Sequence, residues 1–422
     1  MKRAAAVGID LGTSGIRAAA IDDDGRSLGL GAYGFTGAEA ARDPSQWIAG
    51  VESCFVQLRA EVDLSGAIAV SVDGTSGTVL ALDHSGAPIE PAALYNAPVP
   101  SADILASIDE HAPHSSPARG ASSPLGKAID FHQRLSPARI VHQADWLAMQ
   151  LGDGTALSDE NNALKTGYDL ESGSWPEWIA RAGLPLDLLP AVRPAGSPVC
   201  TTSSWARALG LPEACQVHVG TTDGCASFLA TGASEIGDGV TALGSSLVLK
   251  LLSAKRIDAP QFGIYSHRVN GMWLAGGASN TGGAVIKALL PDADLDALSA
   301  GIDPETPTGL SYYPLARPGE RFPVSAPDLQ PRVLPRPDDD AVYFQGLLEG
   351  ISDIEARGYD ILEQLGGPAL ASVRTVGGGA ANHAWERLRM RRLGVPFLPA
   401  QSVEAAVGVA RLALGRAHHG QA

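Results

Sequence analysis

Three short segments combine glycine, hydroxyl and acidic residues in a pattern that suits phosphate chemistry. They are Asp10-Leu-Gly-Thr-Ser-Gly15, Gly220-Thr-Thr-Asp-Gly224 and Gly377-Gly-Gly-Ala-Ala-Asn382. Glycine has no Cβ, so phosphate oxygens can approach the backbone N–H groups of such turns, and Thr13 and Ser14 add hydroxyl donors. Asp10 is of the residue type that holds hydrated Mg²⁺. Together the three segments predict a cleft for nucleotide phosphates.

Each segment also has an ordinary structural explanation. An aspartate that ends a strand before a glycine is common in turns, and Gly377 to Gly379 could form a loop that only needs positive φ angles. The turn that begins at Asp73 supplies a second candidate for a catalytic carboxylate beside Asp223. The joint order and spacing of the segments favour the functional interpretation, with Asp223 preferred.

Alternating and apolar runs predict the elements that position the first segment. Residues 4–11 and 16–22 predict two strands joined by the Gly-Thr-Ser-Gly turn, and residues 27–36 predict a third. Asp43-Pro44 predicts the start of a helix that ends near Ala60. Residues 67–72 predict a buried strand that ends at a further polar turn, Asp73-Gly-Thr-Ser-Gly77.

The middle of the chain, residues 95–200, is rich in proline, serine and glycine. This composition predicts an irregular insert of the kind that shapes substrate pockets, with short helices near 136–150 and 176–183. The polar stretch 161–169 concentrates hydrogen-bonding side chains, and taken alone it would be interpreted as a solvated loop.

After Asp223 the pattern of the first half recurs in looser form. Residues 240–243 predict a strand that leads into Gly244-Ser245-Ser246 and a second strand over 247–252, and Asn270-Gly271 predicts a two-residue hairpin turn. Two related lobes are therefore expected.

The third segment follows a helix predicted over 340–365. A strand over 373–376 is predicted to deliver the triple glycine to a helix over 381–393, whose N-terminus suits phosphate. We predict that the four arginines of that helix lie on a solvated face. They are Arg387, Arg389, Arg391 and Arg392.

Composition excludes several classes of protein. A chain of 422 residues suits two domains, and a net charge of −15 disfavours nonspecific binding to nucleic acid. No segment has the ~20 apolar residues that span a membrane. Four widely separated cysteines predict neither a disulfide framework nor a zinc site, so we expect a cytoplasmic protein. The sequence leaves the oligomeric state open.

The order of the three segments resembles the FGGY family of carbohydrate kinases, within the actin-like, Hsp70-like and sugar-kinase ATPase superfamily. The resemblance covers nearly the whole chain. It implies an α/β fold with two ribonuclease H-like domains that face a central nucleotide cleft. Residues 1–230, completed by the C-terminal helix 404–422, would form an N-terminal domain that binds sugar and phosphate. Residues 231–403 would form the C-terminal, nucleotide-binding domain.

The resemblance also implies roles for individual residues, with ATP and Mg²⁺ as cofactors. Asp223 would accept the proton of a sugar hydroxyl, Asp10 would organise the Mg²⁺ ion, and Thr13 would bind the transferred phosphoryl group. Sugar contacts are expected from Asp10, Ser14, Gly15, Ser76 and Asp223. Contacts to ATP are expected from Thr13, Ser14, Gly15, Gly244, Ser245, Gly377, Gly378, Gly379 and Asn382.

Within the family, several segments are similar to a cyanobacterial and plant group that is associated with phosphorylation of D-ribulose, among them Asp73-Gly-Thr-Ser-Gly-Thr78 and Gln143-Ala-Asp-Trp146. Many family members carry a Trp-Asp-x-Arg segment where this chain has Tyr95-Asn96-Ala97-Pro98. The expected activity is therefore ATP-dependent phosphorylation of D-ribulose to D-ribulose 5-phosphate. The alternatives are a D-xylulose kinase and an ATP-driven binding protein of the Hsp70 or actin type.

Overall fold

The structure, a computed structural model, describes the backbone of residues 1–419 and the side chains of residues 1–415. The last three residues of the predicted helix 404–422 lie outside the described part. The strands are β1 (Lys2–Arg3), β2 (Ala6–Leu11), β3 (Gly15–Ile21), β4 (Ser27–Gly34), β5 (Val62–Asp63), β6 (Ala69–Gly74), β7 (Val79–Leu82), β8 (Arg139–His142), β9 (Leu157–Asp159), β10 (Ala191–Arg193), β11 (Pro198–Thr201), β12 (Gln216–Thr222), β13 (Asp238–Leu243), β14 (Leu247–Ser253), β15 (Tyr265–Val269), β16 (Met272–Ala278) and β17 (Ser372–Val376). The helices are α1 (Pro44–Glu61), α2 (Ala102–His111), α3 (Pro124–Leu135), α4 (Gln143–Leu151), α5 (Glu160–Thr166), α6 (Trp178–Arg181), α7 (Ser204–Ala208), α8 (Asp223–Ala230), α9 (Gly283–Leu289), α10 (Leu295–Gly301), α11 (Asp340–Gln364), α12 (His383–Leu393) and α13 (Ala405–His419).

The chain divides into two compact units. The first comprises Met1–Ala230, His267–Asn270 and the segment from Glu404 onward. Its sheet has the strand order β11-β12-β6-β2-β3-β4, in which β2, β3 and β4 form an antiparallel meander. Strands β2, β6 and β12 run parallel, so their carboxyl ends lie at the same edge of the sheet.

Helices α1 and α13 cover the two faces of this sheet because the side chains of β2 alternate. Val7, Ile9 and Leu11 are buried with Trp47 and Phe55 of α1. On the other face the residues are small and pack against α13. A Cβ on Gly8 would lie 1.9 Å from the carbonyl oxygen of Ala406, so glycine permits this close approach. The core between this face and the helix contains Ala6, Ala19, Ile21 and Ala69 of the strands with Ala406, Val407 and Ala410 of α13.

The prediction of an irregular insert at 95–200 is wrong. Helices α2 and α3 fill much of it, and they bury one apolar face each. One Ser-Pro pair that suggested a loop is a helix start: the Ser123 hydroxyl accepts a hydrogen bond from Gly126 N–H, and Pro124 is the first helical residue. The predicted helix over 136–150 is wrong in its first part, because β8 pairs with β7 and α4 begins only at Gln143.

The interpretation of 161–169 as a solvated loop, which the stretch favours when taken alone, does not hold for its first six residues. Residues Glu160–Thr166 form α5, whose side chains Asn161 and Asn162 are buried. The Asp159 side chain caps the helix by accepting hydrogen bonds from the N–H groups of both asparagines. The sequence signal for this helix is the Ser-Asp pair that precedes it.

The second unit comprises Thr231–Ser266 and Gly271–Val403. Its sheet has the order β15-β16-β14-β13-β17, in which β13, β14 and β16 are antiparallel and β17 is parallel to β13. A meander continued by a parallel strand repeats the plan of the first sheet. Asn270 and Gly271 have φ angles of 50° and 79°, which confirms the predicted hairpin turn. Over residues 1–419, no helix is long and apolar enough to cross a membrane.

The helix α12 departs from the prediction of a solvated arginine face at one position. Arg389 is only 1 % exposed. Its guanidinium donates two hydrogen bonds of 2.7 Å to the buried carboxylate of Glu355, and a third of 2.8 Å to Thr375 Oγ1. The Glu355 carboxylate also accepts a hydrogen bond from Thr241 Oγ1 at 2.5 Å. Arg389 therefore joins α12 to α11 and to the sheet.

Candidate active site

Three carboxyl groups converge at the carboxyl edge of the first sheet. In the register of the parallel strands, Asp10 of β2 lies beside Asp73 of β6, and Asp73 lies beside Thr221 of β12. Asp223 follows directly as the first residue of α8. Residues far apart in sequence are thus brought together because each ends a neighbouring parallel strand.

The Asp10 and Asp73 carboxyl groups are buried and interact directly. Burial raises the pKa of Asp73 well above its usual value, and the negative charges of Asp10 and Asp223 raise it further. Burial also raises the pKa of Asp10 to about 6. Arg17, whose guanidinium lies 3.9 Å from the Asp10 carboxylate, opposes this shift only weakly. The edge of the sheet therefore carries excess negative charge.

The buried oxygens of Asp73 have no hydrogen-bond donor of good geometry among the described residues, because the group beside them is itself a carboxyl. A divalent cation is the natural complement to such a group of acids. Within residues 1–419, no set of three or more acidic, histidine or cysteine side chains is arranged to hold a metal alone. Mg²⁺ usually binds through one or two carboxylates together with water and phosphate oxygens. Asp10 fits that description.

We expect the Asp73→Asn substitution to stabilise the metal-free protein at alkaline pH. A carboxyl group whose pKa is raised by folding binds its proton more tightly in the folded state, so the free energy of unfolding falls as the pH rises from about 4 through the folded pKa. An asparagine carries no charge and removes this loss, so the variant should unfold at a higher urea concentration than the wild type at pH 8, with the difference shrinking toward pH 5. Urea unfolding in EDTA over pH 5–8 measures it, and a variant less stable than the wild type at pH 8 would contradict the assignment.

Asp223 is more accessible than Asp73. It is partly exposed, and its Oδ1 accepts a hydrogen bond of 2.7 Å from the N–H of Gly224. Asp73 is 0 % exposed. A group that exchanges a proton with a bound substrate must come within hydrogen-bond reach of it. Of the two candidate carboxylates, Asp223 has the required access.

The turn after β2 presents its hydroxyl groups to solvent. Gly12 N–H donates a hydrogen bond of 3.0 Å to Gly15 O, and the intervening Thr13 and Ser14 are exposed. Gly15 has a separate structural reason to be glycine, since a Cβ there would lie 2.1 Å from Tyr33 O of β4. The turn therefore offers two hydroxyl groups close to the acids.

Asn161 is a residue near the site that the sequence did not single out. Its Nδ2 donates hydrogen bonds to Thr221 Oγ1 at 3.0 Å and to Arg268 O at 2.8 Å, and its Oδ1 accepts one of 2.7 Å from Arg268 N–H. The side chain thus fixes the end of β12 just before Asp223. The signal that could have found it is the helix cap at Asp159.

The second unit contains a cavity of about 800 Å³ between the β13–β14 turn, α10, α11 and the start of α12. Five of the six residues predicted to bind ATP from this half of the chain line it, namely Gly244, Ser245, Gly378, Gly379 and Asn382. Gly377 lies beside the cavity. Its φ of +85° and a Cβ position only 2.7 Å from Leu243 O explain the glycine by the turn itself.

The amide of Asn382 is already engaged within the protein. Its Oδ1 accepts a hydrogen bond of 2.9 Å from Trp385 N–H and so caps α12, while its Nδ2 donates one of 2.8 Å to Ser299 Oγ on α10. Asn382 therefore shapes the cavity by joining two of its walls. The N-terminus of α12, which begins at His383, lies at the cavity.

Parts of the chain are similar to known proteins. Residues 239–416 match the FGGY family of carbohydrate kinases, C-terminal domain. A xylulose kinase of Klebsiella pneumoniae is 25 % identical over 96 % of this chain and 89 % of its own length.

Solved structures share the fold. A protein from Brucella ovis described as a xyloylose kinase has a TM-score of 0.86 at 22 % identity, covering 98 % of this chain and 90 % of its own. A glycerol kinase of Plasmodium falciparum, solved with ADP, has a TM-score of 0.81 at 14 % identity, covering 99 % and 91 %. The two-domain α/β fold of the actin, Hsp70 and sugar-kinase ATPases is thereby confirmed. The match of residues 239–416 to the C-terminal domain of a carbohydrate-kinase family, together with the relative from Klebsiella, supports a sugar kinase, that is, a phosphotransferase.

Proposed function

We propose that this kinase transfers the γ-phosphoryl group of ATP to a terminal hydroxyl of a ketopentose, with D-ribulose as the first candidate. The observation that carries the proposal is the convergence of Asp10, Asp73 and Asp223 at one sheet edge, where Asp223 alone combines access with a neighbouring negative charge. In this proposal the first unit binds sugar and phosphate, and the second unit binds the nucleotide in its 800 Å³ cavity.

Asp223 is the proposed proton acceptor. The sugar hydroxyl oxygen forms a bond to the γ-phosphorus, the bond from that phosphorus to the bridging oxygen of ADP breaks, and the hydroxyl proton passes to the Asp223 carboxylate. Thr13 and Ser14 hydroxyls and the N–H groups of their turn hold the transferred phosphoryl group. Mg²⁺, with Asp10 as its protein ligand, would neutralise charge on the phosphates.

The identity of the sugar rests on two different arguments. The segments from Asp73 to Thr78 and from Gln143 to Trp146 are similar to a group associated with D-ribulose, while the relatives from Klebsiella and Brucella are named as xylulose kinases. D-xylulose is therefore the second candidate. The two ketoses differ in the configuration of one hydroxyl at C3, which a pocket can distinguish by a few hydrogen bonds.

ADP release measured with each ketopentose, with pentitols and with glycerol tests the proposal. We expect kcat/KM for D-ribulose to exceed that for D-xylulose by at least about tenfold, a difference that one well-placed hydrogen bond provides. A higher kcat/KM for D-xylulose would replace the first candidate with the second. ADP release that no sugar or polyol accelerates would refute the proposed function.

A further inference from the structure

Lys127 is a buried cation that the mechanism above does not use. It lies on α3, is 2 % exposed, and forms no ion pair with any carboxylate of the described residues. Burial lowers the pKa of its ammonium group to about 8. A buried charge without a counterion is costly, and methionine would fill similar space without that cost. The hydrogen bonds of the ammonium group explain why position 127 is a lysine.

The three N–H bonds of the ammonium group have three backbone acceptors. Nζ donates to Leu94 O at 2.6 Å, to Tyr95 O at 3.0 Å and to Gly77 O at 3.3 Å. These carbonyls belong to two turns. One, the Ser76 turn (residues 75–78), is closed by Thr78 N–H and Thr75 O at 3.2 Å. The other, the Tyr95 turn (residues 94–97), is closed by Ala97 N–H and Leu94 O at 3.0 Å.

The two turns have one further polar link. Tyr95 N–H donates a hydrogen bond of 3.0 Å to Thr78 Oγ1. The Thr75 hydroxyl lies 2.6 Å from Thr78 Oγ1 and donates to Gln143 Oε1 at 2.8 Å. Every hydroxyl of the Ser76 turn thus has a partner except that of Ser76, whose buried Oγ has none among the described residues.

An unpartnered buried hydroxyl costs free energy unless a ligand satisfies it. Ser76 follows Asp73 on the same sheet edge that carries Asp10 and Asp223, so a sugar hydroxyl at that edge is the ligand of matching chemistry. The Tyr95 turn contributes no charged side chain of its own.

We propose that Lys127 is a positioning residue of the sugar site, whose ammonium group fixes the Tyr95 turn against the Ser76 turn and so holds the Ser76 hydroxyl in place for a sugar hydroxyl. This inference rests on the proposed function. It assigns Lys127 no direct contact with the substrate. Removing the ammonium group should therefore weaken sugar binding only as far as Ser76 contributes to it.

A double-mutant cycle between Lys127→Met and Ser76→Ala tests this dependence. We expect each single variant to raise KM for the sugar by about tenfold, the value of one well-made hydrogen bond, and to leave KM for ATP within about twofold. In the double variant the two effects should not multiply, because Lys127 acts through Ser76. Lys2→Met, at an exposed position of β1, is the matched control and should match the wild type.

The outcomes separate the inference from the proposed function. If the wild type phosphorylates no ketopentose, the proposed function fails. If it does, and Lys127→Met leaves the sugar KM unchanged or multiplies the effect of Ser76→Ala, the inference is overturned. Should Lys127→Met fail to fold, Thr78→Val, which removes only the acceptor for Tyr95 N–H and the neighbouring hydroxyl contact, is measured in the same cycle. Thr78→Val should raise the sugar KM when Ser76 is present and have no further effect in the Ser76→Ala variant.

Discussion

An Asp223→Asn variant is expected to lose about 10²–10⁴-fold in kcat, the usual contribution of a positioned general base. Its affinity for ATP should stay within about twofold of the wild type, because the cavity proposed to bind ATP is lined by residues of the second unit. An asparagine keeps the size and hydrogen-bonding geometry of the side chain but cannot take up the sugar proton. Sugar-dependent ADP release gives kcat, and calorimetric titration with ATP gives the affinity.

Two further variants make the test of Asp223 specific. Asp187→Asn, at an exposed position of the same unit, should leave kcat unchanged. Asp73→Asn should keep more than about a tenth of the wild-type rate, since Asp73 is 0 % exposed and Asp223 is the more accessible of the two carboxylates. An inactive Asp73→Asn beside an active Asp223→Asn would reverse the two roles.

An Arg389→Met variant is expected to lower the free energy of unfolding by about 3–5 kcal/mol, the cost of leaving one partner of a buried ion pair without its countercharge. Both Arg389 and Glu355 are 1 % exposed, and two hydrogen bonds of 2.7 Å join them. Methionine fills part of the space but leaves the Glu355 carboxylate with Thr241 as a donor and no cation. Urea unfolding at pH 7 measures the change.

The chain offers a control on the same helix. Arg392 donates a hydrogen bond of 2.6 Å to Asp353 and is 47 % exposed, so Arg392→Met should cost less than about 1 kcal/mol. The double variant Arg389→Met with Glu355→Leu should recover much of the lost stability, since it removes both buried charges. Equal effects of Arg389→Met and Arg392→Met would show that burial of the pair contributes nothing.

The elements next to the glycine turns could be predicted from sequence because their signals are local. The helix that begins at Pro44 is observed over Pro44–Glu61, with the Asp43 side chain accepting a hydrogen bond from Ser45 N–H as its cap. The strands beside the Gly12–Gly15 turn and the Asn270-Gly271 hairpin are likewise observed. In each case a turn or cap residue fixes the boundary without help from distant parts of the chain.

The predictions failed where tertiary contacts decide the structure. The stretch 161–169 is polar, yet Asn161 is buried because its amide pairs with the backbone of Arg268, more than a hundred positions away. Arg389 lies on an arginine-rich helix, whose composition is typical of a solvated face. Its burial is tolerated because its guanidinium pairs with the buried Glu355 carboxylate on α11. The burial of Lys127 could not be predicted from the sequence either, because its three hydrogen-bond acceptors are backbone carbonyls of other segments.

The packing of α13 on β2 has a consequence for the order in which the chain can fold. The alanine-rich face that includes Ala6, Gly8 and Ala69 packs against residues of α13, which leave the ribosome after the whole second unit. Domains generally fold as units during synthesis. This face of the first sheet therefore cannot pack against α13 until the end of the chain has been translated, while the intervening second unit can acquire its own core in the meantime.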